Sequence, residues 1–353
     1  MRKRIGFSLL TLGLTFFNSA LHATTISSMY RPLPGLTAKQ LAVVVNDADP
    51  LSVRIAAYYQ DKRQIPQENT IHVRFDNGSD ALSQKEFAII KQQVDAKTPN
   101  QVQAFVLTWL KPFRVDCMSI TTAFAAGFDQ AFCAKVCTES RKSPYFASDS
   151  QQPFTDFHWR PTMTLAGTSF EDVKQLIDRG VAADFTRPQG SAYLLKTTDQ
   201  ARSTRAILFP EAVKAFAGLW PVHYLEQNSL ENKPDVMFYF TGLIHVPDIN
   251  TNTYLPGAIA DHLTSAGGVL SGSKQMNILD WIKAGATASY GAVIEPCNYP
   301  AKFSYPGVVL HYYLRGNTLI EAYWKSVLEP GQGIFVGEPL ARPFASTPKD
   351  QLH

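Results

Sequence analysis

Four short runs of this chain are apolar at nearly every position, and these runs limit most strongly how it can fold. They comprise residues 41–46, 102–109, 236–240 and 286–294. A strand with one wet face alternates apolar and polar residues, whereas a uniformly apolar strand is buried on both faces. Helix-like stretches separate the runs. The sequence therefore predicts an α/β fold in which a mostly parallel sheet has helices on both faces and the four runs lie side by side.

Local signals mark several of the helices. Asp49 followed by Pro50 predicts a helix start with Asp49 as the N-cap, and Ser83 with Glu86 forms a capping box. Further helices are predicted over 170–183, 278–284 and 308–327, the last one broken or kinked near Gly316. Residues 111–160 show no clear period, and we interpret them as an irregular excursion from the domain.

The N-terminus has the pattern of a secretory signal. Arg2, Lys3 and Arg4 precede an uncharged apolar stretch over 5–17, and small residues follow up to Ala23. An apolar stretch of this length is shorter than the roughly 20 residues that cross a bilayer. We therefore predict a signal peptide over 1–23, a single domain over 24–353 without a membrane span, and a periplasmic or secreted protein.

The charge balance argues against a nucleic-acid partner. The chain has 33 Lys and Arg against 30 Asp and Glu, and three of the cations belong to the predicted signal, which leaves 30 against 30. A nucleic-acid binder needs a basic face, and no dense run of Lys or Arg appears in the rest of the chain.

All four cysteines lie outside the predicted signal. In an oxidising compartment, an even number of cysteines predicts disulfides, and the local choice is Cys117 with Cys133 or with Cys137. Zinc is the alternative ligand, but the paired C-x-x-C spacing of zinc sites is absent. We therefore predict at least one disulfide within the 117–137 cluster and no metal or other cofactor.

Four segments that follow predicted strands carry chemically active side chains. They span residues 46–49, 241–248, 257–268 and 295–298. Ligands of parallel sheets bind outside the carboxyl ends of the strands. We expect the last three of these segments to converge at one edge of the sheet.

Two interpretations of these segments remain open. In the first, His245 activates Cys297 or Ser265 as a nucleophile, since a thiol or hydroxyl needs a neighbouring base. Glu295 or Asp248 would orient the imidazole in that arrangement. The candidate catalytic residues are then His245, Cys297, Ser265 and Asp261, and the candidate binding residues are Asp47, Asp49, His262 and Glu295.

In the second interpretation, the same residues have ordinary structural roles. Asp49 is a helix cap, His245 is a loop histidine, Asp261 and His262 form a surface pair, and Cys297 is half of a disulfide. A metal site built from His245, Asp248, Asp261 and His262 is a weaker alternative, because no H-E-x-x-H spacing occurs. The phosphate-binding loops and the G-x-S-x-G elbow are also missing, which disfavours nucleotide chemistry and the usual serine hydrolases.

Several motifs resemble a family of exported bacterial proteins that has no assigned activity. The resemblance covers nearly all of the chain after the predicted signal. It is carried by Val43-Val-Val-Asn46, Asp49-Pro-Leu-Ser52, Tyr58-Tyr59, Arg63-Gln-Ile-Pro66, Gly257-Ala-Ile-Ala-Asp-His-Leu-Thr-Ser265, Gly285-Ala-Thr-Ala-Ser-Tyr-Gly291, Glu295-Pro296 and Gly337-Glu-Pro-Leu-Ala-Arg-Pro343.

Residues 236–343 also resemble gingipain-type cysteine peptidases in the order of their features. An apolar strand leads to His245, and a Gly-Ala-Thr-Ala strand, a long helix with Glu321-Ala322 and a closing Gly-Glu-Pro follow. The resemblance implies a caspase-like, three-layer α/β fold. It places the peptidase nucleophile near Ser265, where this chain has no cysteine. The two resulting hypotheses are a non-catalytic scaffold that binds a peptide or envelope component and a hydrolase that uses His245.

Overall fold

A computed structural model describes residues 33–134 and 137–346 of the chain. The predicted signal peptide, residues 1–23, lies outside the described residues. The described strands are β1 (Leu41–Asn46), β2 (Thr70–Val73), β3 (Ala81–Leu82), β4 (Ala104–Leu107), β5 (Arg114–Val115), β6 (Met118–Ser119), β7 (Thr162–Thr164), β8 (Ser191–Lys196), β9 (Val222–Glu226), β10 (Val236–Thr241), β11 (Tyr254–His262), β12 (Ala288–Ala292) and β13 (Gly333–Gly337). The described α-helices are α1 (Pro50–Arg63), α2 (Gln84–Lys97), α3 (Ile120–Ala126), α4 (Pro153–Phe157), α5 (Phe170–Ala183), α6 (Phe209–Ala215), α7 (Ile278–Ala284), α8 (Pro306–Leu314) and α9 (Leu319–Trp324).

Ten of these strands form one sheet in the order β2-β1-β4-β7-β13-β12-β11-β10-β8-β9, and β3, β5 and β6 form a small second sheet. Every residue of β1, β10, β12 and β13 is buried. Strands that are buried at every position require cover on both faces of the sheet, and helices provide it. The predicted α/β class, with a mostly parallel sheet between helices, is confirmed.

The sheet reverses direction at one seam. β12 and β13 pair antiparallel, whereas the other neighbouring strands of the sheet pair in parallel. The sheet therefore consists of two parallel blocks that run in opposite directions, β2-β1-β4-β7-β13 and β12-β11-β10-β8-β9. The four apolar runs share one sheet as predicted, but they do not all lie side by side, because β7 and β13 separate β4 from β12 and β11 separates β12 from β10. The runs of β1 and β4 also point opposite to those of β10 and β12. Apolar composition specifies the burial of a strand and carries no information about its direction.

Local sequence explains where the helices begin. The Asp49 carboxylate accepts a hydrogen bond from the Leu51 amide, and Pro50 occupies the first turn of α1. Ser83 and Glu86 form the predicted capping box of α2. The helix predicted over 308–327 is divided into α8 and α9, and Gly316 between them has a φ of +93° that favours glycine.

Residues 111–160 are less irregular than the sequence suggested. This stretch contains β5, β6, α3 and α4, and six residues of α3 are buried. The small and apolar residues of α3 pack all around the helix, so they produce no amphipathic period that would mark it. Within the described part of the chain, no helix combines the length and the apolar character that crossing a membrane requires.

Candidate functional site

The seam decides which of the predicted loops share an edge of the sheet. β8, β10, β11 and β12 run in parallel, so the segments that follow them leave at the same edge. β1 belongs to the other block and ends at the opposite edge. Asp47 and Asp49 are therefore far from the loops of His245, Ser265 and Cys297. The convergence of the last three loops at one edge agrees with the prediction, whereas Asp47 and Asp49 do not take part in it.

A depression of about 300 Å³ lies at this edge, and we call it the Arg202 depression. It is lined by Cys137, Ala201, Arg202, Leu263, Thr264, Ser265, Glu295, Cys297 and Asn298. These residues follow β8, β11 and β12, except for Cys137, which comes from the excursion. In the depression, the segments that follow three strands and one segment distant in sequence surround a single cation, Arg202.

Arg202 is held in place by the loops around it. Its Nη1 donates to Asp199 at 2.9 Å, and its Nε donates to the Thr264 hydroxyl at 3.0 Å. Nη2 donates no hydrogen bond to a described residue. The Thr264 hydroxyl in turn donates to Gln275 at 2.8 Å. The guanidinium is oriented in advance and keeps one N–H₂ group available for an anionic partner, which is a favourable arrangement for binding a carboxylate.

Two glycine contacts bring the loops together. A Cβ on Gly242, just after β10, would overlap the carbonyl oxygen of Arg202. A Cβ on Gly291 in β12 would lie 2.6 Å from the backbone of Gly267 and Gly268. At this edge of the sheet, neighbouring loops therefore pack backbone against backbone, and this packing depends on the absence of side chains at these two glycines.

Asp261, near the end of β11, has a structural role. It is fully buried at the end of β11 and forms an ion pair of 2.5 Å with Arg205. Its other oxygen accepts from the hydroxyls of Ser304 at 2.6 Å and Tyr323 at 2.7 Å. A buried carboxylate whose oxygens all have donors is neither a surface residue nor free for catalysis, which corrects both expectations for Asp261.

His262 is buried as well, and its two ring nitrogens are occupied. Trp281 Nε1 donates to Nδ1 at 2.9 Å, and Nε2 donates to the carbonyl of Met276 at 3.2 Å. This pattern requires the neutral tautomer with its proton on Nε2. Burial lowers the pKa of His262 to about 3. The expected surface pair with Asp261 is therefore wrong, and no imidazole edge of His262 is available to a ligand.

Cys297 has no thiol in this structure. It forms a disulfide with Cys137, and Cys117 forms another with Cys133. The predicted disulfide within the 117–137 cluster is confirmed. A disulfide sulfur carries no thiolate, so the assignment of Cys297 as a nucleophile is corrected for this form of the protein. Glu295 accepts a hydrogen bond from the Cys297 amide at 2.7 Å and lines the depression beside it.

His245 and Ser265 line different depressions. His245 is exposed and borders a polar depression together with Asp248, Lys274 and Asp280. Ser265 lines the Arg202 depression, and its hydroxyl has no hydrogen bond to a described residue. A serine needs a base within about 3 Å to become a nucleophile. In the described part of the chain, no basic side chain forms a hydrogen bond with the Ser265 hydroxyl.

The remaining predicted residues have local roles at the opposite edge. The Asp47 carboxylate lies 2.7 Å from Nδ1 of His72 on the surface, and Asp49 caps α1. Among residues 33–134 and 137–346, no group of three or more His, Cys, Asp and Glu side chains is arranged to hold a metal ion.

Arg202 and Arg205 were not predicted from the sequence as site residues. Both follow β8 and lie within ten residues of its end. The rule that directed attention to the other strand exits would have selected this segment too. Its signal was the mostly polar stretch over 197–205, which contains two arginines and directly follows the buried strand β8.

Comparison with models of known protein families finds none that matches this chain. A search of curated proteins likewise finds no matching relative. The resemblance to an exported family without assigned activity therefore stays a prediction.

Solved structures give several matches. One, described as the crystal structure of the Arg-specific cysteine proteinase gingipain R, has 12% identity and a TM-score of 0.48, and the match covers 89% of this chain and 80% of that one. A second, described as the complex of Porphyromonas gingivalis RgpB pro- and mature domains, has 10% identity and a TM-score of 0.49, with coverages of 86% and 79%. A third, described as the structure of a protease, has 10% identity and a TM-score of 0.40, with coverages of 90% and 81%.

Proposed function

We propose that this chain is an exported protein that binds a peptide at the Arg202 depression without cleaving it. The observation that carries the proposal is the state of the two candidate nucleophiles. Cys297 is bonded to Cys137, and the Ser265 hydroxyl has no base among its described neighbours. The export part of the proposal rests on the N-terminal pattern, and the two disulfides are typical of an oxidising compartment.

The chemistry of the depression favours an acidic group of the peptide. Arg202 supplies an oriented guanidinium, and the Ser265 hydroxyl and the Asn298 amide can donate or accept hydrogen bonds next to it. Glu295 on the same rim disfavours a ligand with several negative charges, because like charges repel. We therefore propose a peptide with a single Asp or Glu side chain at the position that contacts Arg202.

The test is a binding screen of short peptides against the mature protein under non-reducing conditions. Arg202→Gln is expected to weaken binding of the best acidic peptide about tenfold or more, since hydrogen bonds to charged groups are worth about 1.5–3 kcal/mol. Arg54→Gln is the matched control, because Arg54 is exposed and belongs to α1, which packs on the other block of the sheet. Equal losses for the two variants would contradict the proposal.

The hydrolase alternative is tested with the same protein. A serine-reactive phosphonate probe and a fluorogenic peptide substrate are expected to give no labelling and no turnover, with or without reductant. Turnover that disappears in both Ser265→Ala and His245→Ala would establish the hydrolase hypothesis and overturn the binding proposal.

A further inference from the structure

A second, unassigned groove lies along α2, in the other block of the sheet, and we call it the Arg160 groove. It consists of two adjoining depressions of about 590 and 470 Å³ that share Lys91, Asp95 and Gly127. The first has an apolar floor that includes Phe87, Ala88 and Phe128. The groove follows α2 from Ala88 to Ala96, a distance of about 12 Å at 1.5 Å per residue.

The second depression contains a buried cation, Arg160, whose positive charge has few hydrogen-bond acceptors around it. Arg160 is 7% exposed, and its guanidinium lies between the rings of Phe154, at 3.2 Å from the ring centroid, and Phe105, at 5.3 Å. Nε donates to the carbonyl of Val102 at 3.1 Å, and the guanidinium donates no further hydrogen bond to a described residue. Burial lowers the pKa of Arg160 to about 10.

The nearest carboxylate is engaged by another cation. Both oxygens of Asp95 accept from Lys91 Nζ, at 2.6 and 2.5 Å, whereas Arg160 Nη1 lies 3.8 Å from Asp95. Two cations therefore face one anion, and the polar end of the groove has an excess positive charge. A buried charge that lacks a full partner favours an anionic ligand.

The other side chains that line the groove favour the carboxylate of a peptide over that of a fatty acid. Thr98, Asn100 and His158 border the cationic end, and Gln92 borders the apolar end. Asn100, His158 and Gln92 can hydrogen-bond the amides of a peptide, whereas a hydrocarbon tail offers them no partner. The Thr98 hydroxyl already donates to the carbonyl of Val94 at 2.7 Å. Gly127, shared by both ends, has no atom within 4 Å of where a Cβ would lie, so the middle of the groove is open.

We propose that the Arg160 groove binds the C-terminal carboxylate of a peptide whose last side chains are apolar. The carboxylate lies against Arg160 and Lys91, and the apolar side chains lie against Phe87 and Phe128. A groove of about 12 Å accommodates about four extended residues at roughly 3.3 Å each. The inference does not rest on the function proposed for the Arg202 depression, and the two sites share no lining residue.

The test uses the full mature protein, labelled with ¹⁵N, and two tetrapeptides. One is acetyl-Ala-Ala-Ala-Leu with a free carboxylate, and the other is the same peptide as its carboxamide. We expect the free acid to shift the Gly127 amide resonance in a saturable manner and the carboxamide to bind about tenfold more weakly or worse. Equal binding of the two peptides, or no saturable binding of the acid, would overturn the proposal.

Substitutions distinguish binding in the groove from binding elsewhere on the surface. Arg160→Met is the direct change, and Lys91→Met, on a half-buried helix position, covers the case in which the buried variant fails to fold. Each is expected to weaken binding of the acid about tenfold. Ala88→Trp fills the apolar end and is expected to block binding. Lys85→Met, on the exposed part of α2 outside the groove, is the matched control and leaves the affinity unchanged.

Decanoate tests the alternative that the groove binds fatty carboxylates, because it has a carboxylate and a hydrocarbon tail but no amides. If decanoate shifts the Gly127 resonance and the tetrapeptide acid does not, the groove binds fatty carboxylates and the peptide proposal is wrong. We expect decanoate to bind more weakly than the tetrapeptide acid, since it forms no hydrogen bonds with Asn100 and Gln92.

Discussion

His262 shows how a residue with an apparent functional role serves the fold instead. It ends β11 at the edge where chemistry was expected, but Trp281 and the carbonyl of Met276 occupy both of its ring nitrogens. It was expected to be a binding residue or part of a surface pair, whereas it is fully buried. Residue type and neighbours along the chain predict a cap such as Asp49, because the contact is local. The partners of His262 come from α7 and the loop before it, and no local pattern indicates them.

The neutral state of His262 makes folding sensitive to acid. The unfolded state binds a proton near pH 6.5, and the folded state only near pH 3. The stabilisation from neutral His262 is therefore complete above pH 6.5 and is lost as the pH falls through this window, by up to about 1.4 kcal/mol per pH unit. In urea unfolding, the wild type should lose about 2 kcal/mol more than His262→Gln between about pH 7.5 and about pH 5. The exposed His72→Gln serves as the control, and identical losses in wild type and His262→Gln would contradict the assignment.

At the scale of elements, the sequence predicted which segments form strands and helices better than it predicted how the strands pair. The buried strands and the start of α1 were predicted from local signals, and α5 was predicted with its observed bounds. The direction of β13 relative to β12 was not predicted. Strand direction depends on how the chain returns from α9 to the sheet, which is a property of the connections and of tertiary packing. β9 was also missed, because its partly exposed residues at the sheet edge show no continuous apolar run.

The contact between β12 and the loop after β11 is predicted to be intolerant of a methyl group. Gly291→Ala places a Cβ 2.6 Å from the backbone of Gly267 and Gly268, and either the strand or the loop must move. We expect the free energy of unfolding to fall by about 1–3 kcal/mol. Gly307→Ala is the control, because a Cβ there would lie 3.6 Å from Ala212, at ordinary contact distance, and alanine favours helix α8. Chemical denaturation of both variants measures the difference, and equal stabilities would refute the contact.

At the scale of the whole molecule, covalent links join parts that the sheet order keeps separate. Cys137 comes from the excursion between α3 and α4, whereas Cys297 follows β12, and their disulfide spans 160 residues. Cys117–Cys133 spans only 16. The sequence indicated the short link because proximity along the chain suggests it. The long link needs the three-dimensional arrangement that brings the excursion to the Arg202 depression.

The two disulfides should therefore differ in their contribution to stability. In the chain-entropy account, a tenfold longer loop adds about 2 kcal/mol of stabilisation. Cys137→Ser with Cys297→Ser is expected to lower the free energy of unfolding by about that much more than Cys117→Ser with Cys133→Ser. Guanidinium unfolding of the two double variants under non-reducing conditions provides the measurement. A larger loss for the short link would show that local packing around Cys133 outweighs the loop term.

The position of β13 has a kinetic consequence. Among the described strands it comes last in the sequence, and it lies between β7 and β12 in the middle of the sheet. Its pairing joins Val336 to Thr164 and to Ser289, so the sheet cannot be completed before the segment 333–337 has been synthesised. Contacts between residues so far apart slow folding, because a long loop must close before they form. Until then β7 and β12 present open edges of the kind that pair with other chains, and aggregation during folding is the hazard that this topology carries.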